Sequence, residues 1–151
     1  MYVKVEIAPG GSELALSVAP MAQYAKDLGL GAATVVVLFT MARETGAALR
    51  LAFRLAASPT VGILVVCPVS RSILGPLRLS RFLRFARKCA DSLSASSVER
   101  LRLVVWPTTR GRDAIEDFTT ARSVVLIQRP WWRVWARSSR KNLTAGRMSI
   151  L

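Results

Sequence analysis

Histidine is absent from the chain of 151 residues. That removes the Ser-His-Asp and Cys-His pairs that activate nucleophiles, and every histidine-ligated metal site. Two cysteines remain, Cys67 and Cys89, too few on their own for a zinc or iron–sulfur centre. Cys67 stands just before a polar, basic bend, Val69-Ser70-Arg71-Ser72. A nucleophilic cysteine that cradles phosphate needs an arginine six positions on, and that position is Ile73. Cys67 therefore reads as a buried structural residue. Nine carboxylates are scattered from Glu6 to Asp117, whereas metal-dependent nucleases and polymerases need two or more converging acids. No metal and no cofactor is expected, and the residues favour a binding protein over an enzyme.

Hydroxyls and guanidinium groups remain as the chemistry of this chain. Its basic residues are 18 arginines and 4 lysines against 9 acids, a formal charge of +13. Arginine is suited to bidentate phosphate contacts and to stacking. A GC-rich or heat-adapted source would also raise arginine, and the scarcity of amides (Asn142, Gln23 and Gln128 only) agrees with heat adaptation. Hydrophobic residues make up 52% of the chain and mean hydropathy is +0.34, so it is a folded basic domain and not a disordered basic tail. The two cysteines suggest no disulfide framework and no signal peptide is evident, which suits the cytoplasm. The longest apolar run, about 32–39, falls well short of the ~20 residues of a spanning helix.

The elements that must position these groups follow from apolar periodicity. Tyr2 to Ala8 alternates, as expected of a strand at a sheet edge with one face less covered. Pro9-Gly10-Gly11-Ser12 turns into a helix expected from Ser12 to Leu28, with Ser12 as its N-cap. That bend lacks the glycine spacing of a dinucleotide fingerprint and the lysine of a P-loop, and an ordinary turn accounts for it. Residues 33–39 and 62–67 are buried-strand runs. Each precedes a helix, 42–57 and one starting near Pro76. The first carries Arg43, Arg50 and Arg54 on one stripe and more apolar surface than one sheet face hides, which predicts a homodimer. The second sets Phe82, Phe85 and Cys89 on one arc and Arg81, Arg84, Arg87 and Lys88 on the other. After a serine-rich connection come strands at 101–106 and 123–127. Between them, a polar loop carries Thr108, Thr109, Arg110 and Arg112 into a short helix. A last helix, about 130–143, sets Trp131, Trp132 and Trp135 against Arg133, Arg137 and Arg140.

Five strands alternating with helices predict a single α/β domain over residues 1–145, with 146–151 a frayed tail. Its sheet is expected to be five-stranded, mostly parallel and doubly wound, Rossmann-like or flavodoxin-like, with helices on both faces. The strand–helix alternation looks like that of universal stress proteins, whose C-terminal glycine-rich motif is missing here. It also resembles the CARF domains, Rossmann-like modules that bind cyclic oligoadenylates as dimers.

In such a sheet the strand-to-helix loops share one edge, where ligands of open α/β folds bind. That edge would gather Ser12, Arg43, Ser70, Arg71, Thr108, Thr109, Arg110 and Arg112 as a phosphate site for a nucleotide or oligonucleotide. The alternatives are a nucleic-acid face on Arg81, Arg84, Arg87 and Lys88, and a membrane-surface or partner-docking role for the tryptophan–arginine helix, Trp131, Arg133, Arg137 and Arg140.

Overall fold

The computed structural model describes residues 1–8, 13–30, 32–70, 75–108, 116–118, 123–127 and 148–150, the last two stretches as backbone only. The chain is α/β, and its described strands form one seven-stranded mixed sheet. In chain order the elements are β1 (Tyr2–Ile7), β2 (Leu14–Ala19), a single 3-10 turn, α1 (Tyr24–Asp27), β3 (Thr34–Leu38), α2 (Ala42–Leu55), β4 (Gly62–Val69), α3 (Gly75–Ser92), α4 (Ala95–Arg100), β5 (Leu101–Pro107), β6 (Ser123–Ile127) and β7 (Met148–Ile150). Across the sheet the order is β2-β1-β5-β4-β3-β6-β7. Strand β1 pairs antiparallel with both neighbours, and the pairings from β5 through to β7 are parallel.

Several of the expectations need correction. The sheet has seven strands, not five, and the helix expected over 12–28 is instead β2 followed by short helical turns. Leu14, Leu16 and Val18 alternate with Ala15, Ser17 and Ala19, a strand period, and Pro20 would break any helix through this stretch. The hairpin makes β1 second from the edge and β2 the edge itself. Met148–Ile150, in the stretch read as a terminal tail, pairs with Val125–Ile127.

The core lies on both faces of the sheet. Strand β3, Thr-Val-Val-Val-Leu, is buried at every residue, as a parallel strand covered on both sides must be. Alternate residues feed opposite layers. Val35, Val37, Ile63, Val65 and Cys67 pack beneath α2 and α3, with Ala48, Ala52, Phe82, Phe85 and Ala86. Phe39 closes the top of this layer against Phe82 and Phe85, with ring centroids 5.2 and 5.6 Å away. On the opposite face, Val36, Leu38, Leu64, Val66 and Val104 meet Tyr2, Leu28, Leu30, Trp106 and Phe118. Trp106 stacks edge-on with Tyr24 and Phe118 and donates from Nε1 to Asp117 at 3.0 Å.

Helix α2 packs part of its spare apolar surface inside the chain. Leu51 and Phe53 lean on the core beneath α2 and α3, and Arg100 lies 5.9 Å over the Phe53 ring. Leu55, the last residue of the helix, stays 55% exposed.

Candidate functional site

The carboxyl ends of β3, β4 and β5 lie side by side, with Phe39, Ser70 and Thr108 just beyond them. The backbone N–H of Phe39 donates to Val66 at 2.8 Å and that of Thr108 to Val69 at 3.0 Å. These bonds hold the exits of adjacent strands together. Thr40 donates its N–H to the buried Thr45 hydroxyl at 3.1 Å, which fixes the entry into α2. Arg43 stands exposed in the first turn of that helix, while Ser70 and Thr108 are half-buried. The edge therefore brings together Arg43, Ser70 and Thr108. Arg71, Thr109, Arg110 and Arg112 lie outside the described residues. So does Ser12, and the antiparallel direction of β1 puts the end of that strand, Ile7, at the opposite end of the sheet from Val69 and Pro107. Trp131, Arg133, Arg137 and Arg140 are also outside the described residues.

Beneath this edge lies Arg78, which the helical pattern of α3 does not single out as part of the basic arc. It sits four residues before Phe82 and seven before Phe85, at the head of the buried stripe. A guanidinium at that place needs a partner, because a buried unpaired charge is strongly disfavoured. Its Nη2 donates to the Phe39 carbonyl at 2.9 Å. Arg78 also lies beside Cys67, where its charge and hydrogen bond favour the thiolate, but burial outweighs them and pushes the thiol up to about 12. Cys89 is raised to about 11 by burial alone. Burial thus disfavours the thiolate of both. Two polar atoms here, Arg78 Nε and Glu44 Oε2, are buried without a hydrogen-bond partner.

Gly75 seats the start of α3 against β4. A Cβ there would come 2.4 Å from the Ser70 carbonyl oxygen, far inside van der Waals contact, so only glycine allows this close approach.

The second cluster is the outward surface of the helix layer. Helices α2 and α3 cover the same side of the sheet and expose Arg43, Arg50 and Arg54 from one, and Arg81, Arg84, Arg87 and Lys88 from the other. Asp91 is the only acid of the two helices that is fully exposed. Within α3 the spacings Arg81–Arg84, Arg84–Arg87 and Arg84–Lys88 set like charges one helical turn apart, each costing about 0.2–0.5 kcal/mol in helix stability. Among the described residues no group of three or more acids or cysteines could hold a metal, and no helix is long and apolar enough to cross a membrane.

No family model, curated protein or solved structure matches the chain.

Proposed function

We propose that the protein is a basic α/β domain that binds phosphate-rich anions, nucleic acid above all, across the α2–α3 layer. One observation carries this reading. Seven exposed cations come from two adjacent helices whose only exposed acid is Asp91, although repulsion within α3 works against that arrangement. A surface of this kind neutralises backbone phosphates and releases their counterions, so affinity falls linearly in log–log form as salt rises, with a slope of about −0.9 per phosphate contact on duplex DNA. Two free, buried cysteines suit a reducing, cytoplasmic setting.

Fluorescence anisotropy with duplex DNA, single-stranded DNA and short RNA over a salt series is the direct test. Changing Arg81 and Arg84 together to alanine should weaken all three complexes and flatten the salt slope by nearly two contacts. If no polyanion binds at low salt, the arginine content is compositional and the reading fails.

A second reading places a nucleotide or oligonucleotide at the carboxyl edge, with Arg43, Ser70 and Thr108 contributing. The strand order supports it. From β3 the chain winds out through β4 to β5, then crosses back to β6 on the other side of β3. In Rossmann-like sheets ligands sit at such a reversal, and here the N-terminus of α2, with Arg43, stands at it. A small ligand held there would raise the melting temperature, since a hundredfold excess over Kd stabilises by about 2.7 kcal/mol. The reading is abandoned if no nucleotide shifts the melt beyond what sulfate does.

A further inference from the structure

Among the described residues, strand β2 is the outer strand of the sheet, paired on one side only. Ala8 donates its N–H to the carbonyl of Glu13 at 3.0 Å, so these two form a hydrogen-bonded pair. Such pairs alternate along an antiparallel ladder. Hence Ala15, Ser17 and Ala19 turn their backbone groups toward β1, while Leu14, Leu16 and Val18 turn theirs outward to the free edge.

Natural edge strands are guarded by charge, proline, a bulge or extreme shortness. The strand Leu-Ala-Leu-Ser-Val-Ala has six residues, no charge and no proline, and pairs with β1 in unbroken register. Its side chains at Leu14, Leu16 and Val18 share the face that carries α2 and α3. Leu14 packs on that core, but Leu16 and Val18 are 57% and 64% exposed. An open groove bounded by Glu13, Leu14, Arg87 and Asp91 runs between the start of β2 and α3, and Leu16 and Val18 lie beyond the cover that the described helices give the sheet.

We propose that β2 is a dimer interface, pairing antiparallel with β2 of a second copy about a two-fold axis at Leu16. The strand is self-complementary in this register. Leu16 pairs with Leu16 of the second copy, and Leu14 pairs with Val18 in both directions. All three outward-facing residues then exchange their free N–H and C=O groups, and every cross-strand pair on the helix-bearing face is aliphatic, a combination that stabilises antiparallel pairing. No other register uses all three residues. A copy of the chain is the occupant that the strand's own symmetry fits, and the contact closes on itself without propagating.

The axis stands perpendicular to the sheet, so both α2–α3 layers fall on the same side of one continuous sheet and the basic surface is doubled. The interface itself is uncharged, but each copy carries +13. Association therefore strengthens as salt screens the repulsion, opposite to the salt dependence of polyanion binding.

Sedimentation equilibrium of the full chain at micromolar concentration, without nucleic acid, tests the proposal. The expected mass is twice the 16.5 kDa of one chain, rising toward that value with added salt. Leu16→Pro removes an N–H that faces away from β1 and has no partner among the described residues, a substitution edge strands accept, and it should yield a folded monomer. Leu16→Lys, which sets a charge opposite its own copy, should do the same while leaving β2 free of proline. Leu16→Cys should form a covalent dimer under mild oxidation, because the buried Cys67 and Cys89 cannot take part. A wild-type monomer across the concentration and salt range overturns the proposal. So does a dimer that survives both Leu16→Pro and Leu16→Lys unchanged.

Discussion

Arg100, at the end of α4, donates to the carbonyl of Ala56, the C-cap of α2. The same guanidinium reaches the carbonyls of Ser58 and Val61 at 3.0 and 3.2 Å and covers the Phe53 ring. One side chain thus satisfies the carbonyls where a helix ends, places a cation at the negative end of its dipole and ties α2 to the entry of β5. Arg100→Ala is expected to cost about 2 kcal/mol, since hydrogen bonds to a charged group contribute about 1.5–3 kcal/mol. Arg100→Lys should recover only part, because an ammonium cannot span three carbonyls in a fork. Urea melts of the three proteins would decide it, and equal midpoints would show the contact to be dispensable.

The cysteines give a second test. With their thiols pushed to about 12 and about 11 by burial, Cys67 and Cys89 should resist alkylation at neutral pH in the folded protein. Their labelling rate should follow the population of opened molecules and rise steeply across a urea transition. Rapid labelling of Cys67 under native conditions would restore a chemical role for it.

Tyr2 couples stability to alkaline pH. Its hydroxyl donates to Asp27 at 3.0 Å, and its pKa is raised to about 12 by burial, with the bond to Asp27 and the charge of Asp27 adding to it. A raised phenol favours the neutral form in the folded state, so the contribution is complete below the unfolded value of 10.0. It is lost as pH climbs from there through about 12. Thermal melts between neutral pH and pH 12 should fall more steeply for the wild type than for Tyr2→Phe, with the two curves parallel below pH 9. Parallel curves throughout would place the alkaline sensitivity elsewhere.

Arg84 should show stability and binding in opposition. It has a like charge at Arg81, Arg87 and Lys88, so Arg84→Ala should leave the fold unchanged or stabilise it by a few tenths of a kcal/mol at low salt. The same change should reduce the salt slope of polyanion binding by about 0.9. A clear loss of stability on removing Arg84 would mean that the residue holds the structure together and is not kept for a ligand.

Much of the fold was legible in the sequence. The runs Val35-Val36-Val37 and Ile63-Leu64-Val65-Val66 and the helices that follow them are stated by periodicity alone. The hairpin is masked in the sequence because Ser12 and the glycines before it look like a helix start and compete with the strand period of Leu14, Leu16 and Val18. Within the candidate site, Arg43, Ser70 and Thr108 fell where strand-to-helix alternation implies. Arg78 was legible only as an arginine on a buried stripe, and Arg100 not at all, since its partners lie some forty residues earlier in the chain and become neighbours only in the fold. Direction was the harder matter. Alternating apolar residues in β1 do not say which way the strand runs beside β5, and that orientation decides on which end of the sheet its loop opens.

The pairing of Val3 with Val105 and Val5 with Leu103 has a consequence for how the molecule is made. The hairpin leaves the ribosome roughly a hundred residues ahead of its inner neighbour in the sheet. At about 5–20 residues per second, the apolar side of β1 waits roughly 5–20 s for β5 to be synthesised. Meanwhile β3, α2 and β4, adjacent both in sequence and in space, can dock without it. Both flanks of the hairpin stay open during that interval, one awaiting β5 and the other, β2, already able to meet a strand of a neighbouring nascent chain. The nascent chain is therefore open to mispairing at this hairpin, and a chaperone that shields residues 2–19 until β5 arrives would protect it there.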